Sequence, residues 1–261
     1  MIRGCIFDLG GTIVDRYSLT PFLSLKKAFL NNGIHVNNQL IFKDMGKNKK
    51  DHIIDILVNK DITNQWINLK KYRPTKKDSE LLFNEFNDIQ LDYSKNLITI
   101  LPETKNCISF LKNKNIKIGA TTGFNKENMN IIKNKLEFNN IFLDNYVSSS
   151  CIDKPSRPHP HMINKNLEML NIANPRKVIK VDDTLVGIQE GINAECITVA
   201  VARWSVNMGI NNIQDAFEFS DFDVYGNLKK SREILNGSGA DYVINTLDEL
   251  PPLINKLNLK N

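Results

Sequence analysis

Near the N-terminus the apolar run Cys5, Ile6, Phe7 stops abruptly at a carboxylate, Asp8, and is followed by Leu9, Gly10, Gly11 and Thr12. A short apolar run closed by a glycine-rich turn marks a central strand of an open α/β sheet, buried on both faces. In such sheets ligands bind beyond the carboxyl ends of the strands, where Asp8 falls. Gly10 and Gly11 permit a tight turn whose N–H groups can approach an anion. Taken alone, the stretch also reads as a strand capped by Asp and a turn. Three later strand ends turn the balance.

Beyond Asp15 the period changes. Phe22, Leu23, Leu25, Ala28 and Phe29 fall at helical spacing over residues 20–32, and Gly33 ends the run. Further helices are expected over residues 49–57, 63–71 and 77–97, with Pro74 breaking between the last two. No strand pattern appears here, so residues 17–98 read as a helical module inserted after the first strand. Residues 1–16 and 99–261 then form the core. Pro102 opens a helix, and residues 116–123 read as a strand and turn ending in Thr122 and Gly123. A helix over 126–136, a strand over 145–149 and a basic loop containing Arg157 follow. A helix over 160–170 leads to a strand ending in Asp182 and Asp183, a helix to about residue 194, and a strand over 196–202. Strands alternating with helices indicate βαβ crossovers and a parallel sheet. Residues 204–226, with Trp204, Phe217, Phe219, Phe222 and Tyr225, show no period and read as a surface excursion. A helix, a short strand over 241–244 and a final helix close the chain.

The charge pattern excludes little. The 34 basic and 29 acidic residues are spread along the 261 residues with no basic stripe, so nucleic-acid binding is not indicated. No apolar stretch approaches the ~20 residues a membrane span needs. A strand begins almost at once, which leaves no room for a signal peptide. Cys5, Cys107, Cys151 and Cys196 form no C-x-x-C pair and read as reduced thiols of a cytoplasmic protein.

In a parallel sheet the ends at Asp8, at Thr122 and Gly123, at the Arg157 loop and at Asp183 converge on one edge. Paired carboxylates suit a hard divalent cation. A threonine hydroxyl, loop N–H groups and an arginine suit phosphate oxygens. A carboxylate facing them can act as a nucleophile toward phosphorus. The residues alone therefore indicate magnesium-assisted phosphoryl chemistry through an aspartyl intermediate.

These pieces, Asp8 to Thr12, Thr121 to Gly123, Ser156 to Pro158 and Val181 to Asp183, resemble in order and spacing the haloacid dehalogenase superfamily. The resemblance implies an α/β fold: a Rossmann-like parallel-sheet core with a helical cap domain inserted after the first strand. Most phosphatases of that superfamily carry a second Asp two residues after the nucleophile, which protonates the leaving group. Here that position is Gly10, so ordinary phosphate-ester hydrolysis is expected to be poor.

Met45, Gly46, Lys49, Asp51 and His52 match the M-G-x-x-K-x-D-H segment of the phosphonoacetaldehyde hydrolase family, the phosphonatases. The similarity extends through Trp66, Pro74 and Thr75, Lys117 to Gly123, Arg157, Pro158, Pro160 and Met162, Ile179 to Val181, and Asp183 and Thr184. It is weakest over residues 204–226. It implies hydrolysis of the carbon–phosphorus bond of phosphonoacetaldehyde to acetaldehyde and phosphate. Asp8 is then the nucleophile, Lys49 the amine that forms a Schiff base with the aldehyde, and His52, one turn on, a proton shuttle. Met45, Gly11, Thr122, Gly123 and Arg157 would bind substrate. Asp8, the Gly10 carbonyl and Asp183 would hold Mg2+. The family also implies a homodimer formed through the cap. A phosphatase or phosphomutase of the same superfamily, or an impaired phosphate-binding relative, is the alternative.

The amine must be partly neutral to attack. An unperturbed lysine, with pKa ~10.4, is neutral in only about one molecule in 2,500 at pH 7. Desolvation, and like charges such as Lys47, Lys50 or Arg157, are expected to lower it. Three departures from the family accompany the match. Gly187 stands where another acid is usual, which predicts reduced metal affinity; Asp182 could compensate, although its place on the strand predicts that it points elsewhere. Phe124 stands where Tyr is usual, and Ser18 where Cys is common. His159 and His161 are read as chemically idle.

Overall fold

The structure is a computed structural model describing residues 1–218 and 221–259, without the side chains of 221–223. Phe219 and the Phe222 side chain therefore lie outside the described residues. Strand β1 (Gly4–Phe7) is followed by five helices: α1 (Leu19–Asn31), α2 (Asn38–Lys43), α3 (Lys49–Val58), α4 (Lys60–Lys70) and α5 (Lys76–Asn96). The chain then alternates: α6 (Thr104–Asn113), β2 (Lys117–Thr122), α7 (Lys126–Phe138), β3 (Asn145–Ser148), α8 (His161–Met169), β4 (Val178–Asp182), α9 (Leu185–Asn193) and β5 (Ile197–Val201). Helices α10 (Ile213–Glu218) and α11 (Asp221–Asn236), strand β6 (Tyr242–Ile244) and helix α12 (Leu250–Leu259) complete it.

The six strands are all parallel, in the order β3-β2-β1-β4-β5-β6. This is a Rossmann-like order, and it reverses direction between β1 and β4. A crevice opens beyond the strand ends at that reversal. Cys5, Phe7, Ile179, Val181 and Val199 face one helical layer, with Ile108, Ile132 and Ile254. Ile6 and Val178 face the other, with Ile163 and Leu167. Covering both faces explains why the strands are largely apolar.

Asparagine caps set several helix starts. Asn59 accepts from Asp61 N at 3.0 Å, so α4 begins at Lys60, ahead of the expected residue 63. Asn37 accepts from Gln39 N at 2.8 Å and starts α2, a six-residue helix that periodicity cannot register. The segments joining the helical insertion to the sheet run side by side. Asp15 N donates to Thr99 O at 2.9 Å and Leu101 N to Ile13 O at 3.0 Å. Asp15, Tyr17 and Ser18 all adopt positive φ, at 57°, 63° and 49°, so the chain makes its exit in a strained turn.

The first part of the 204–226 segment, residues 204–210, is not a surface excursion. Trp204, Val206, Met208, Ile210 and Ala216 are buried in one cluster with Tyr17, Phe22 and Trp66 of the insertion. The Trp204 and Tyr17 rings pack tilted at 53°, with centroids 5.6 Å apart, and the Arg203 guanidinium lies 4.2 Å from the Trp204 ring centroid. The segment is aperiodic because it is a buried brace rather than a face of one element. Its outer residues, among them Ile213, Phe217 and Tyr225, are exposed.

Candidate active site

The register Phe7↔Val181 between β1 and β4 continues one step, with Asp8 N donating to Val181 O at 2.9 Å, and this sets Asp8 beside Asp182 at the strand ends. Asp183 follows in the turn to α9. Asp8, Asp182 and Asp183 are buried and can each bring one oxygen within 4.8 Å of the others. Asp182 does not point away, as expected from its place on the strand. In a parallel ladder, residues in register share a face, so Asp182 and Asp8 stand on one side with Lys180.

Gly11 is required at its turn. Its φ is +68°, and a Cβ there would overlap Asp183 Oδ2 and lie 2.6 Å from its Cγ. The absent side chain lets the loop backbone close against the carboxylate. Thr12 Oγ1 donates to Asp183 Oδ1 at 3.2 Å. Ser205 Oγ donates to Asp183 O at 2.6 Å, and Val206 N to Oδ2 at 3.4 Å. The buried brace thus also supports the site, a role its sequence does not announce.

Arg157 enters from the loop before α8 and is 5% exposed. Its Nη2 lies 2.9 Å from Asp8 Oδ1, and its Nε lies 2.7 Å from Glu190 Oε2. Nη2 also donates to Thr121 Oγ1 at 2.8 Å. Burial opposes the charge, but Glu190, Asp8 and Asp182 hold the guanidinium firmly protonated. Lys180, fully buried, links this array. Its Nζ donates to Thr121 Oγ1 at 2.7 Å and lies 2.9 Å from Asp182 Oδ2 and 3.6 Å from Glu190 Oε2. Lys180, Glu190 and Thr121 are site residues that sequence reasoning missed. The available signal was a lysine inside an otherwise apolar strand, which needs a partner when buried.

The carboxyls respond to this setting. Burial pushes Asp8 up to about 6, with Asp182 adding to it and Arg157 and Lys180 opposing. Burial, then the charges of Asp182 and Asp8, pushes Asp183 well above its ordinary range. Burial alone would raise Asp182, but Lys180 and Arg157 hold it below its usual value. The excess of buried carboxylate around Asp183 suits an oxygen-ligated divalent cation, so these residues fit a magnesium site.

The insertion closes over the strand ends through the loop between α2 and α3. Gly46, at φ +94°, has no room for a Cβ, which would lie 2.6 Å from Thr184 Oγ1. A Cβ on Gly123 would lie 3.3 Å from Lys47 O. The cavity beneath measures about 30 Å3, and Asp8, Gly10, Met45, Lys49, Thr122, Gly123, Phe124 and Arg157 line it. This is far below the ~300 Å3 of an ordinary ligand pocket, so the insertion stands in a closed position.

Lys49 is the first residue of α3 and is 6% exposed. Burial lowers it from the ordinary lysine value to about 8, with Asp8 opposing and Arg157 reinforcing. Lys47 does not face it. Its ammonium is held by Asp44 and Asp55, 3.0 Å from the latter. Lys50 is half exposed near Glu80. Desolvation, rather than the neighbouring lysines, is therefore the main cause. His52 is fully buried, and neither ring nitrogen makes a hydrogen bond within the protein. Burial, then the charges of Lys49 and Lys47, holds it well below its usual range, so it is neutral at pH 7.

Gly10 has Ser18 Oγ and the Phe124 ring 3.3 Å and 3.6 Å from where its Cβ would sit. A carboxylate side chain there would meet both. The cavity thus has a carboxylate, an arginine and a depressed lysine, and no acid at position 10. His159 and His161 stack on each other at 5.9 Å and do not line the cavity.

The sheet order, the carboxylates at its reversal point and the helical insertion define a haloacid dehalogenase-like hydrolase, and the chain belongs to that family, whose model matches residues 2–195. More narrowly, it belongs with the phosphonoacetaldehyde hydrolases. It is 33% identical to the phosphonoacetaldehyde hydrolase of Latilactobacillus sakei, over 98% of this chain and 96% of that one. It is 31% identical to that of Parabacteroides distasonis, over 98% and 97%. Among solved structures, a phosphonoacetaldehyde hydrolase-like protein from Oleispira antarctica superposes with a TM-score of 0.92 at 27% identity, covering 99% of this chain and 93% of that one. No helix among the described residues is long and apolar enough to cross a membrane.

Proposed function

We propose that this chain hydrolyses phosphonoacetaldehyde to acetaldehyde and phosphate through a Schiff base on Lys49 and an aspartyl phosphate on Asp8. The observation that carries the reading is one cavity holding Lys49, lowered to about 8, opposite Asp8 and Arg157, with Gly10 where an acid would stand. Neutral Lys49 adds to the aldehyde carbon, and loss of water yields an iminium. His52, neutral and one helical turn on, takes the amine proton. Asp8, pushed only to about 6, is mostly ionised at pH 7 and attacks phosphorus. The carbon–phosphorus bond breaks, and its electron pair moves into the iminium to give an enamine. No proton donor is needed at this step, which accounts for Gly10. Protonation of the enamine carbon and addition of water release acetaldehyde and restore the amine. Water then cleaves the aspartyl phosphate.

Arg157 binds the phosphoryl oxygens in exchange for Asp8, while Glu190 keeps its Nε in place. Thr122 and Gly123 lie at the end of β2, where loop N–H groups face the phosphoryl group, and Met45 covers the aldehyde. Asp8, Asp183 and the Gly10 carbonyl would hold Mg2+, which when bound offsets charge on the phosphoryl oxygens. The closed cavity requires the insertion to swing out for each substrate, with the paired linkers at Asp15 and Thr99 as the hinge. We also propose a homodimer formed through this cap.

Borohydride together with phosphonoacetaldehyde tests the reading. It should inactivate the enzyme irreversibly and leave a reduced adduct on Lys49 in peptide mass spectra. Substrate turnover without substrate-dependent labelling of Lys49 would exclude the Schiff base. Faster turnover of simple phosphate esters than of the phosphonate would favour a phosphatase.

A further inference from the structure

Lys49 faces a second cavity. Between α5 of the insertion and the loops after β2 and β3 lies a space of about 70 Å3, which shares Lys49, Gly123 and Phe124 with the cavity over Asp8. The rest of its wall is largely polar, with Asn87, Gln90, Asn125, Asn128, Ser149 and Ser150. At ~30 Å3 per water it has room for about two. Side chains close the seam around it. Asn125 Nδ2 donates to Asn87 Oδ1 at 3.1 Å and Ser94 Oγ to Asn128 Oδ1 at 2.6 Å, each joining α5 to the start of α7.

Gln90 stands out in this wall. It is fully buried on α5, and its Oε1 has no hydrogen-bond partner among the described residues. Its Nε2 donates to Thr20 Oγ1 at 3.0 Å and to Ser94 Oγ at 3.2 Å. Those two bonds fix the amide and make the oxygen the end left over. A buried carbonyl oxygen beside a polar cavity is a place for an ordered water.

The chemistry at Lys49 calls for one. As an ammonium, Lys49 carries three protons. Condensation with the aldehyde replaces the carbon–oxygen double bond by a carbon–nitrogen one. Two of the three protons leave with the oxygen as one water, and the third stays on the iminium nitrogen. Release runs in reverse: water adds to the iminium carbon of the acetaldehyde adduct, its oxygen becomes the aldehyde oxygen, and its two protons return to nitrogen. Each turnover therefore makes one water at Lys49 and consumes one there, while the space over Asp8 is taken by the substrate.

The geometry points to Gln90 as the residue that holds this water through Oε1, so that the cavity behind Lys49 receives the water of condensation and returns one for hydrolysis while the insertion stays closed. Gln90 is a positioning residue. It acts on the imine steps through water and takes no part in the attack of Asp8 on phosphorus.

The inference rests on the Schiff-base reading above, and one half-reaction separates the two. Acetaldehyde alone is mixed with the full chain and its variants, borohydride is added at intervals, and the adduct on Lys49 is counted by intact mass. This step involves no phosphoryl transfer. Rates are compared per neutral amine, read from the 13C titration of the Lys49 Cε. Gln90→Met removes Oε1 and should slow adduct formation about tenfold, the worth of one hydrogen bond to the reacting water. Gln90→Glu keeps an oxygen at that place while losing the amide bonds to Thr20 and Ser94, as Gln90→Met does, and should recover most of the rate. Adduct formation by Gln90→Met within about twofold of the native rate would overturn the inference. So would Gln90→Glu as slow as Gln90→Met, because the loss would then follow the Thr20 and Ser94 bonds. A crystal structure of the native chain reads the same point without a variant: a water within hydrogen-bond distance of Gln90 Oε1 is expected, and a dry cavity would overturn the inference. A native chain that forms no adduct would overturn the Schiff-base reading and this inference together. A native adduct with Gln90→Met unaltered would overturn the inference alone.

Discussion

The titration of Lys49 is the most consequential number in the account. Burial lowers its pKa to about 8, the Asp8 charge opposing and Arg157 assisting. Against an ordinary lysine at ~10.4, the neutral fraction at pH 7 rises from about one in 2,500 to about one in ten, a gain of roughly 200-fold in nucleophilic amine. The sign is fixed by the charged form being the desolvated one, so raising pH empties the ammonium and favours attack. Lysine labelled with 13C at Cε reports this directly, because the Cε resonance moves on deprotonation. The Lys49 peak, assigned by its loss in Lys49→Arg, should titrate near pH 8. Asp8→Asn should move the midpoint lower still, because it removes the largest influence holding Lys49 protonated. A Lys49 midpoint above 10, or an upward shift on removing Asp8, would refute the placement of the amine in a closed, desolvated cavity.

The same burial carries a stability cost. The folded pKa lies below the unfolded one, so the cost is full below about pH 8 and vanishes above about 10.5. At about 1.4 kcal/mol per unit, Lys49→Met should stabilise the chain by up to ~3 kcal/mol at pH 7, and by much less at pH 10, in urea unfolding. Gly11→Ala would force a side chain into the Asp183 carboxylate at positive φ, and should abolish turnover and weaken Mn2+ binding, read by steady-state rates and EPR. Trp204→Ala removes the centre of the buried brace and should cost about 3–5 kcal/mol, measured by denaturant unfolding. An exposed segment there would lose little.

Most of the sheet is legible in the chain because its strands end in punctuation that the chemistry requires. Asp8 before Gly10 and Gly11, Thr122 before Gly123, and Asp182 with Asp183 each stop an apolar run at the same edge. Three ends that agree are far more telling than any one of them. The misses share one cause, long-range partnership. Lys180 and Glu190 look like stray charges until β4 and α9 bring them to Arg157 and Thr121. Asp182 alternates in the strand as a residue facing a helix, and only its neighbour's register shows that the same face carries Asp8. Trp204 to Ala216 has no period because it packs against Tyr17, Phe22 and Trp66, which lie more than a hundred residues away in sequence. Helix α2 is too short for periodicity and rests on its Asn37 cap. Lys47 looked like a charge beside Lys49, but Asp44 and Asp55 take it away.

The central claim is that an imine on Lys49 replaces the proton donor missing at Gly10. It is tested most directly by following acetaldehyde and phosphate release from phosphonoacetaldehyde by the Lys49→Met variant, with folding verified by circular dichroism. The account predicts that release of both products falls to the background rate while the fold and phosphate binding persist. Cleavage by Lys49→Met within about tenfold of the native rate, less than ~1.4 kcal/mol of lost transition-state stabilisation, would contradict it.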